Sequence, residues 1–598
     1  MIINSLKGSI SLKHAWIFVV FAGVICTFHN YHFFGTSQID MLPIIYRQMD
    51  TSFLANDWYT NISVDYNEDF IFSKFILLLS QFLSVPFIFF SLTLIANVGI
   101  AAAAFLATMD LSRSNHIAGI LAAILVVCMP TFFWGVKDIF IRPNLTPEHL
   151  IMPLILLAIW KGVRQKPLLV GLLAGLATLI HPLTGPGVGG LILLQIVITQ
   201  LWFKRFNRKL ITHVLLAGLI LLLPLLLHII PYLNSFDVRI SDEYFVEIMK
   251  MRFPHHYLPS YFLTPKKTII GLLFIITAAI AWNKWRRMEY LPKAVSYSVL
   301  PIATLLFLLC LFGWIFSEIV PTRLMYTLQP FRFLIILKFL GILMISFQLG
   351  ELFSNSTDLK KKMIYGLAAF YPPVFLVVET VGVKLKSGLL LLLAITVFVS
   401  CAFWYPIHTL ELFFALLLLL LFLYYSPKLF ASGLSVLLLF ILFNNLYTSS
   451  KNDSKFVRIL TEKFVIAYDY DDIGQEAVAL SDFIRENTPA KSKLLVPPRA
   501  GAIRITTNRA LVIDAFSMPM NDRGIREWMY RMNQVYNRNS ESPLREIRET
   551  IKNYNLLIDS DLLELRDQFN CNYAVFPSDY STTIPVIYIN SKYKLLQL

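Results

Sequence analysis

Charge is what this chain lacks most. Asp, Glu, Lys and Arg make up only 15% of its 598 residues, against about a quarter in an ordinary soluble domain, and this excludes a water-soluble protein along most of its length. Cysteine is also sparse. The five cysteines, Cys26, Cys128, Cys310, Cys401 and Cys571, are scattered and four lie in apolar segments, which speaks against a disulfide framework or a thiolate metal site. Period-two alternation is missing from the Leu, Ile and Phe blocks, which excludes a membrane β-barrel. No Walker A, dinucleotide fingerprint, zincin motif or nucleophile elbow occurs in a supporting context. Gly185 to Gly190 leads into an apolar run rather than Lys-Ser/Thr, so nucleotide-driven pumping has no support.

Apolar sequence is what remains. Hydrophobic residues reach 56% and the mean hydropathy is +0.63. A bilayer core about 30 Å thick takes roughly 20 apolar residues per helical span, and runs of that kind recur from Ala15 to Phe443. The expected fold is a polytopic α-helical membrane protein of about 11–14 transmembrane helices. Ala15 to Phe34 follows Lys7 and Lys13 without a small-residue cleavage pattern and reads as a retained first span.

The basic excess is positional. From Lys451 onward there are 20 basic and 19 acidic residues, leaving 32 basic against 19 acidic before it. The excess lies in short loops at Arg113 to His116, Arg164 to Lys166, Lys204 to Lys209, Lys284 to Lys293 and Lys360 to Lys362. By the positive-inside bias these face the cytoplasm. The loops Gly35 to Asp69, Lys137 to His149, the region after His181, Tyr232 to Lys267 and Pro321 to Arg332 then face outward. Phe72 to Ser84 is too short to span and reads as a surface helix, with the next span from Val85. Met363 to Val383 has basic flanks on both sides and Pro372-Pro373 in its middle, the pattern of a re-entrant hairpin.

Residues 1–446 thus form a membrane domain and 447–598 a small soluble α/β domain on the outer side. In the latter, Gly474 to Glu486, Leu544 to Asn553 and Ser560 to Asn570 read as helices. Lys493 to Val496, Ala510 to Asp514 and Tyr573 to Phe576 read as strands.

Four outer constellations carry candidate chemistry. In the first loop Asp40 lies just past the first span, with Asn56-Asp57-Trp58 following; a carboxylate there can activate a hydroxyl or hold a divalent cation, the ordinary alternative being a solvated acid. In the second loop Thr146-Pro147-Glu148 is a helix start that accounts for Glu148 as a capping residue. Asp138 and Arg142 are not so explained; they either pair with each other or meet substrate. His181, in Leu179-Ile180-His181-Pro182, marks a helix broken by Pro and Gly at the outer surface, where it lines a cavity or bonds a neighbouring helix. Arg323 and Arg332 run against the charge bias and would hold a phosphate, or anionic lipid headgroups. His255 and His256 receive no role.

This pattern resembles the GT-C superfamily of integral-membrane glycosyltransferases, in which an acid follows the first span, surface helices fill a long first outer loop, and a soluble domain often ends the chain. Asp40 stands in the place of the first-loop acid and Asp138 in that of the second. Asp40-Met41-Leu42-Pro43, Asn56-Asp57-Trp58, Arg142-Pro143, Leu179-Ile180-His181-Pro182, Leu495-Val496-Pro497-Pro498, Asn508-Arg509-Ala510, Val512-Ile513-Asp514 and Glu527-Trp528 are also similar to a family of bacterial multispan proteins with a C-terminal domain of unknown function. The first loop lacks the adjacent acidic pair of protein mannosyltransferases and the tail lacks Trp-Trp-Asp, which points away from protein acceptors.

The resemblance implies a bacterial inner-membrane enzyme that moves a sugar from a polyprenyl-phosphate donor to a lipid or glycan on the outer face, with no nucleic-acid partner. Asp40 and Asp138 would be catalytic; Asp57, Arg142, His181, Arg323 and Arg332 would bind substrate. No cofactor is demanded, and a divalent cation, Mg or Mn, is left open. A transporter or flippase of lipid-linked glycans, or a polysaccharide polymerase or ligase, is the alternative; the outer-surface clustering of polar residues disfavours transport.

Overall fold

Helix starts follow local chemistry. The Ser11 side chain accepts a hydrogen bond from the His14 amide and caps Leu12–Asn30; Ser84 caps Val85–Leu111 in the same way. Thr146 caps Pro147–Val163 through the His149 amide, as its sequence predicts. The computed structural model describes residues 10–31, 33–34, 36–128, 140–234, 238–370, 372–381, 386–402, 407–426, 428–436, 474–540, 544 and 546–598. Asp138, and the expected start of the soluble domain at 447–473, lie outside them.

Among the described residues, 7 helices are long and apolar enough to cross a membrane: Leu12–His29, Val85–Leu111, Thr184–Trp202, Arg208–Pro231, Pro265–Trp285, Lys293–Ile319 and Arg323–Asn355. The expected 11–14 spans exceed this number because several apolar runs form shorter helices, including His116–Cys128, Pro167–Ile180, Ser387–Val399 and Glu411–Tyr425. Ile335–Asn355 is the central helix and is mostly buried, whereas Arg208–Pro231 is largely exposed and turns Leu215, Leu219 and Leu223 outward. Small residues allow close packing. A Cβ on Gly23 would lie 2.6 Å from the Val98 Cα, so the first two spanning helices meet at backbone distance.

The surface helix runs over Phe70–Leu79, about 15 Å long and far short of a bilayer. The apolar stretch near 370 is two helices, Leu359–Phe370 and Pro372–Val381. Ser387, just past the second, hydrogen-bonds Asp358, just before the first, so the two ends of the segment meet. Lys284 pairs with Glu379 near that exit.

The tail holds a five-stranded sheet of order β2-β1-β3-β5-β4: β1 Lys493–Leu495, β2 Ala510–Leu511, β3 Tyr573–Pro577, β4 Val586–Ile589 and β5 Tyr593–Gln597. β1 pairs in parallel with β2 and β3, while β5 is antiparallel to β3 and β4. The expected helices appear as Gln475–Asn487, Ile547–Tyr554 and Asp559–Phe569. The amphipathic helix Asp522–Tyr536 and strands β4 and β5 add to them. The tail does not stand apart. Val512, Trp528 and Met532 share one apolar core with Phe245, Val246, Met249 and Tyr326 of the membrane domain's outer segments.

Candidate functional site

Asp40 is on the first-loop helix Thr36–Met49, beneath the tail. Ser517 Oγ donates to its Oδ1 at 2.7 Å, and the Tyr59 hydroxyl donates to its backbone carbonyl at 2.9 Å. Ser517 is presented by a turn in which Asp514 Oδ1 accepts from the Phe516 and Ser517 amides at 2.9 and 2.7 Å.

Behind that turn is a fully buried ion triad. Arg504 Nε donates to Asp57 Oδ2 at 3.1 Å, and its Nη2 lies 2.8 Å from Asp514 Oδ2, close in charge though not aligned as a hydrogen bond. Arg504 Nη1 donates to Ser517 Oγ at 3.0 Å. Asp57 has no capacity to spare: Oδ1 takes the amide and hydroxyl of Thr60, and Oδ2 takes Arg504 and the Leu511 amide. It therefore locks the tail to the first loop.

Arg252, from the helix Asp242–Arg252, completes this cluster. Its Nη2 donates to the Phe516 carbonyl at 2.6 Å, its guanidinium covers the Phe516 ring at 4.7 Å, and its Nε is buried without a partner. Three carboxylates (Asp40, Asp57, Asp514) face two guanidinium groups (Arg252, Arg504), so one proton balances the charge. Burial first, and the Asp514 charge second, push the Asp40 carboxyl up to about 7, while Ser517, Arg252 and Arg504 pull it down.

A second cluster forms around Glu148, whose side chain does more than cap. Arg142 Nη2 donates to Glu148 Oε2 at 2.7 Å; Arg332 Nη1 and Thr184 Oγ1 lie 3.7 and 3.5 Å from Oε1. His181 ends Pro167–Ile180. Its Nδ1 faces the Thr184 amide at 3.1 Å and its Nε2 faces Arg332 Nη1 at 3.4 Å. Both ring nitrogens meet donors, and a neutral imidazole can accept at only one. Arg332 follows Gln329, whose left-handed backbone (φ 48°) turns the chain into the central helix. Arg332 Nη2 donates to Gln329 Oε1, and Arg332 Nε is buried with no partner.

Tyr257 connects the two clusters. Gln329 Nε2 donates to its hydroxyl at 3.3 Å. Burial first and Glu68 second raise its pKa, while Arg332, the Gln329 hydrogen bond and Arg252 lower it, which puts one cation from each cluster within electrostatic reach of the same phenol.

Of the residues singled out in the sequence, Arg142, His181 and Arg332 come together, and Asp40 lies on the same face with Asp57 behind it. Arg323 is elsewhere: Nη2 donates to Asp522 Oδ1 of the tail at 2.6 Å, and its guanidinium covers Phe245 at 4.4 Å. Asp138 lies outside the described residues. Sequence reading missed Arg252, Tyr257, Arg504 and Ser517, gave Gln329 no role beside Arg332, and assigned Glu148 to capping. Among the described residues no group of three His, Cys, Asp or Glu side chains converges as a metal site; between Asp57 and Asp514 the positive charge is Arg504.

These features define a membrane-associated, mostly helical protein with a small sheet domain docked on one face. In that domain residues 475–535 match a domain of unknown function, DUF6798. The matched stretch includes Arg504, Asp514, Ser517 and Asp522, the residues that grip the membrane domain. No curated protein matches the chain at a significant level.

Proposed function

We propose that this protein is a GT-C-type glycosyltransferase of the bacterial inner membrane, moving a sugar from a polyprenyl-phosphate-linked donor to a lipid or glycan acceptor on the extracytoplasmic side, where the tail would also lie. The observation that carries the reading is Asp40: a carboxylate under the tail, poised to exchange its proton near pH 7, as a general base requires. In this reading Asp40 takes the acceptor hydroxyl proton as the acceptor oxygen bonds to the anomeric carbon, and the polyprenyl phosphate leaves with the bonding electron pair. Arg332, with an unused buried donor, and His181 would meet the phosphate; Arg142 would hold Glu148 in place, and Asp138 would support Asp40. Asp57 and Arg323 would act through the tail.

The test is transfer from labelled polyprenyl-phosphate sugars in reconstituted membranes. A base works only when ionised, so the rate rises with pH through about 7 and then levels. Asp40→Asn lowers transfer by roughly 100-fold or more. Undiminished transfer by that variant would sink the assignment.

A further inference from the structure

The tail reaches Asp40 through a side chain of its own, and the contact is embedded in a rigid frame. Ser517 Oγ is fixed from two directions, donating to Asp40 Oδ1 at 2.7 Å and accepting from Arg504 Nη1 at 3.0 Å. Its backbone is fixed by the Asp514 turn. Arg252 comes from a different outer segment and is pinned by the carbonyl and ring of Phe516, the residue before Ser517. A binding module tethered for acceptor capture would need none of this.

We propose that the C-terminal domain is part of the site itself: Ser517, together with Arg252 held under Phe516, orients the Asp40 carboxylate and balances its charge, so that the site is complete only while the tail is docked. This rests on the reading of Asp40 as the base, and it assigns Ser517 and Arg252 as positioning residues. Ser517 directs one carboxylate oxygen toward the tail and leaves the other to face a substrate hydroxyl. Arg252 supplies positive charge from the membrane side. The groups facing Asp40 are Asp514 and Arg504 from the tail, Arg252 from the long outer loop and Tyr59 from the first. Ser517 and the two arginines favour the ionised form, while burial and Asp514 oppose it. Removing Ser517 or Arg252 therefore makes Asp40 hold its proton to higher pH.

Dicyclohexylcarbodiimide reacts with protonated carboxyl groups in apolar surroundings, so its attachment to Asp40 in the full-length protein, followed by mass spectrometry across pH 5–9, reads the proton directly without an activity assay. Wild-type labelling falls with a midpoint near the value of about 7. Ser517→Ala and Arg252→Gln move the midpoint upward by about one pH unit, the effect of a hydrogen bond or nearby charge on a carboxylate, while Ser517→Thr, which keeps the hydroxyl, restores it. An unshifted midpoint in both Ser517→Ala and Arg252→Gln overturns the proposal. Should Ser517→Ala fail to fold, Arg252→Gln alone decides. Transfer by the wild type separates the two claims. Shifted midpoints in the variants of a protein whose wild type transfers no sugar uphold the positioning role and remove the glycosyltransferase reading. Asp40-dependent transfer with an unshifted midpoint does the reverse.

Discussion

Arg504 is a guanidinium with no exposed surface, held between two carboxylates that have none. Removing one partner of a buried ion pair costs roughly 3–5 kcal/mol, because the other charge is left in a medium that cannot solvate it. Arg504→Met should therefore destabilise the protein more than Asp57→Asn, which keeps the Thr60 cap and leaves Arg504 one acid. Adding Asp57→Asn and Asp514→Asn to Arg504→Met should recover stability. Chemical denaturation in detergent checks the order, and an unchanged midpoint for Arg504→Met would refute the triad's role. Nothing in the local sequence shows this triad. Asp57 and Asp514 each stand in recognisable motifs, but the residue that joins them sits in the short helix Ile503–Thr507, which has no charge pattern of its own. Glu148 teaches the same lesson. Its place at a helix start was legible because capping is a matter of adjacent residues, whereas its contacts to Thr184 and Arg332 depend on how three segments pack.

Elements were more legible than contacts. Apolar length located the first spans, the two prolines at 372 and 373 located the break near 370, and β-rich runs located β1 and β3. The helix Asp522–Tyr536 was overlooked although Ile525, Trp528, Met532 and Val535 recur at helical spacing and are buried, because its many charged residues mask the stripe. The shape of the 359–381 segment yields a prediction at this scale. If its two helices form a hairpin, residues 358 and 387 are neighbours, as the Ser387 hydrogen bond to Asp358 requires. Asp358→Cys combined with Ser387→Cys should then form a disulfide on mild oxidation in native membranes. A spanning segment would hold those positions about 30 Å apart, and the absence of any cross-link would favour it.

At the level of the whole molecule, the tail and the outer segments fold as partners. Phe245, Val246 and Met249 are buried against Val512, Trp528 and Met532, and each large apolar side chain returned to water costs roughly 1.5–3 kcal/mol. Asp57 and Arg323 also lose their tail partners, Arg504 and Asp522, if the tail is absent. Deleting residues from 474 onward should therefore leave a protein that still inserts, because the membrane helices pack in a separate core. Its segment 242–257 should lose protection from amide hydrogen exchange and become open to protease, while the central helix Ile335–Asn355 stays protected. A tail that were merely tethered would leave 242–257 as protected as before. The extent of that loss measures how far the outer face of the membrane domain depends on the tail for its structure, independently of any reaction it supports.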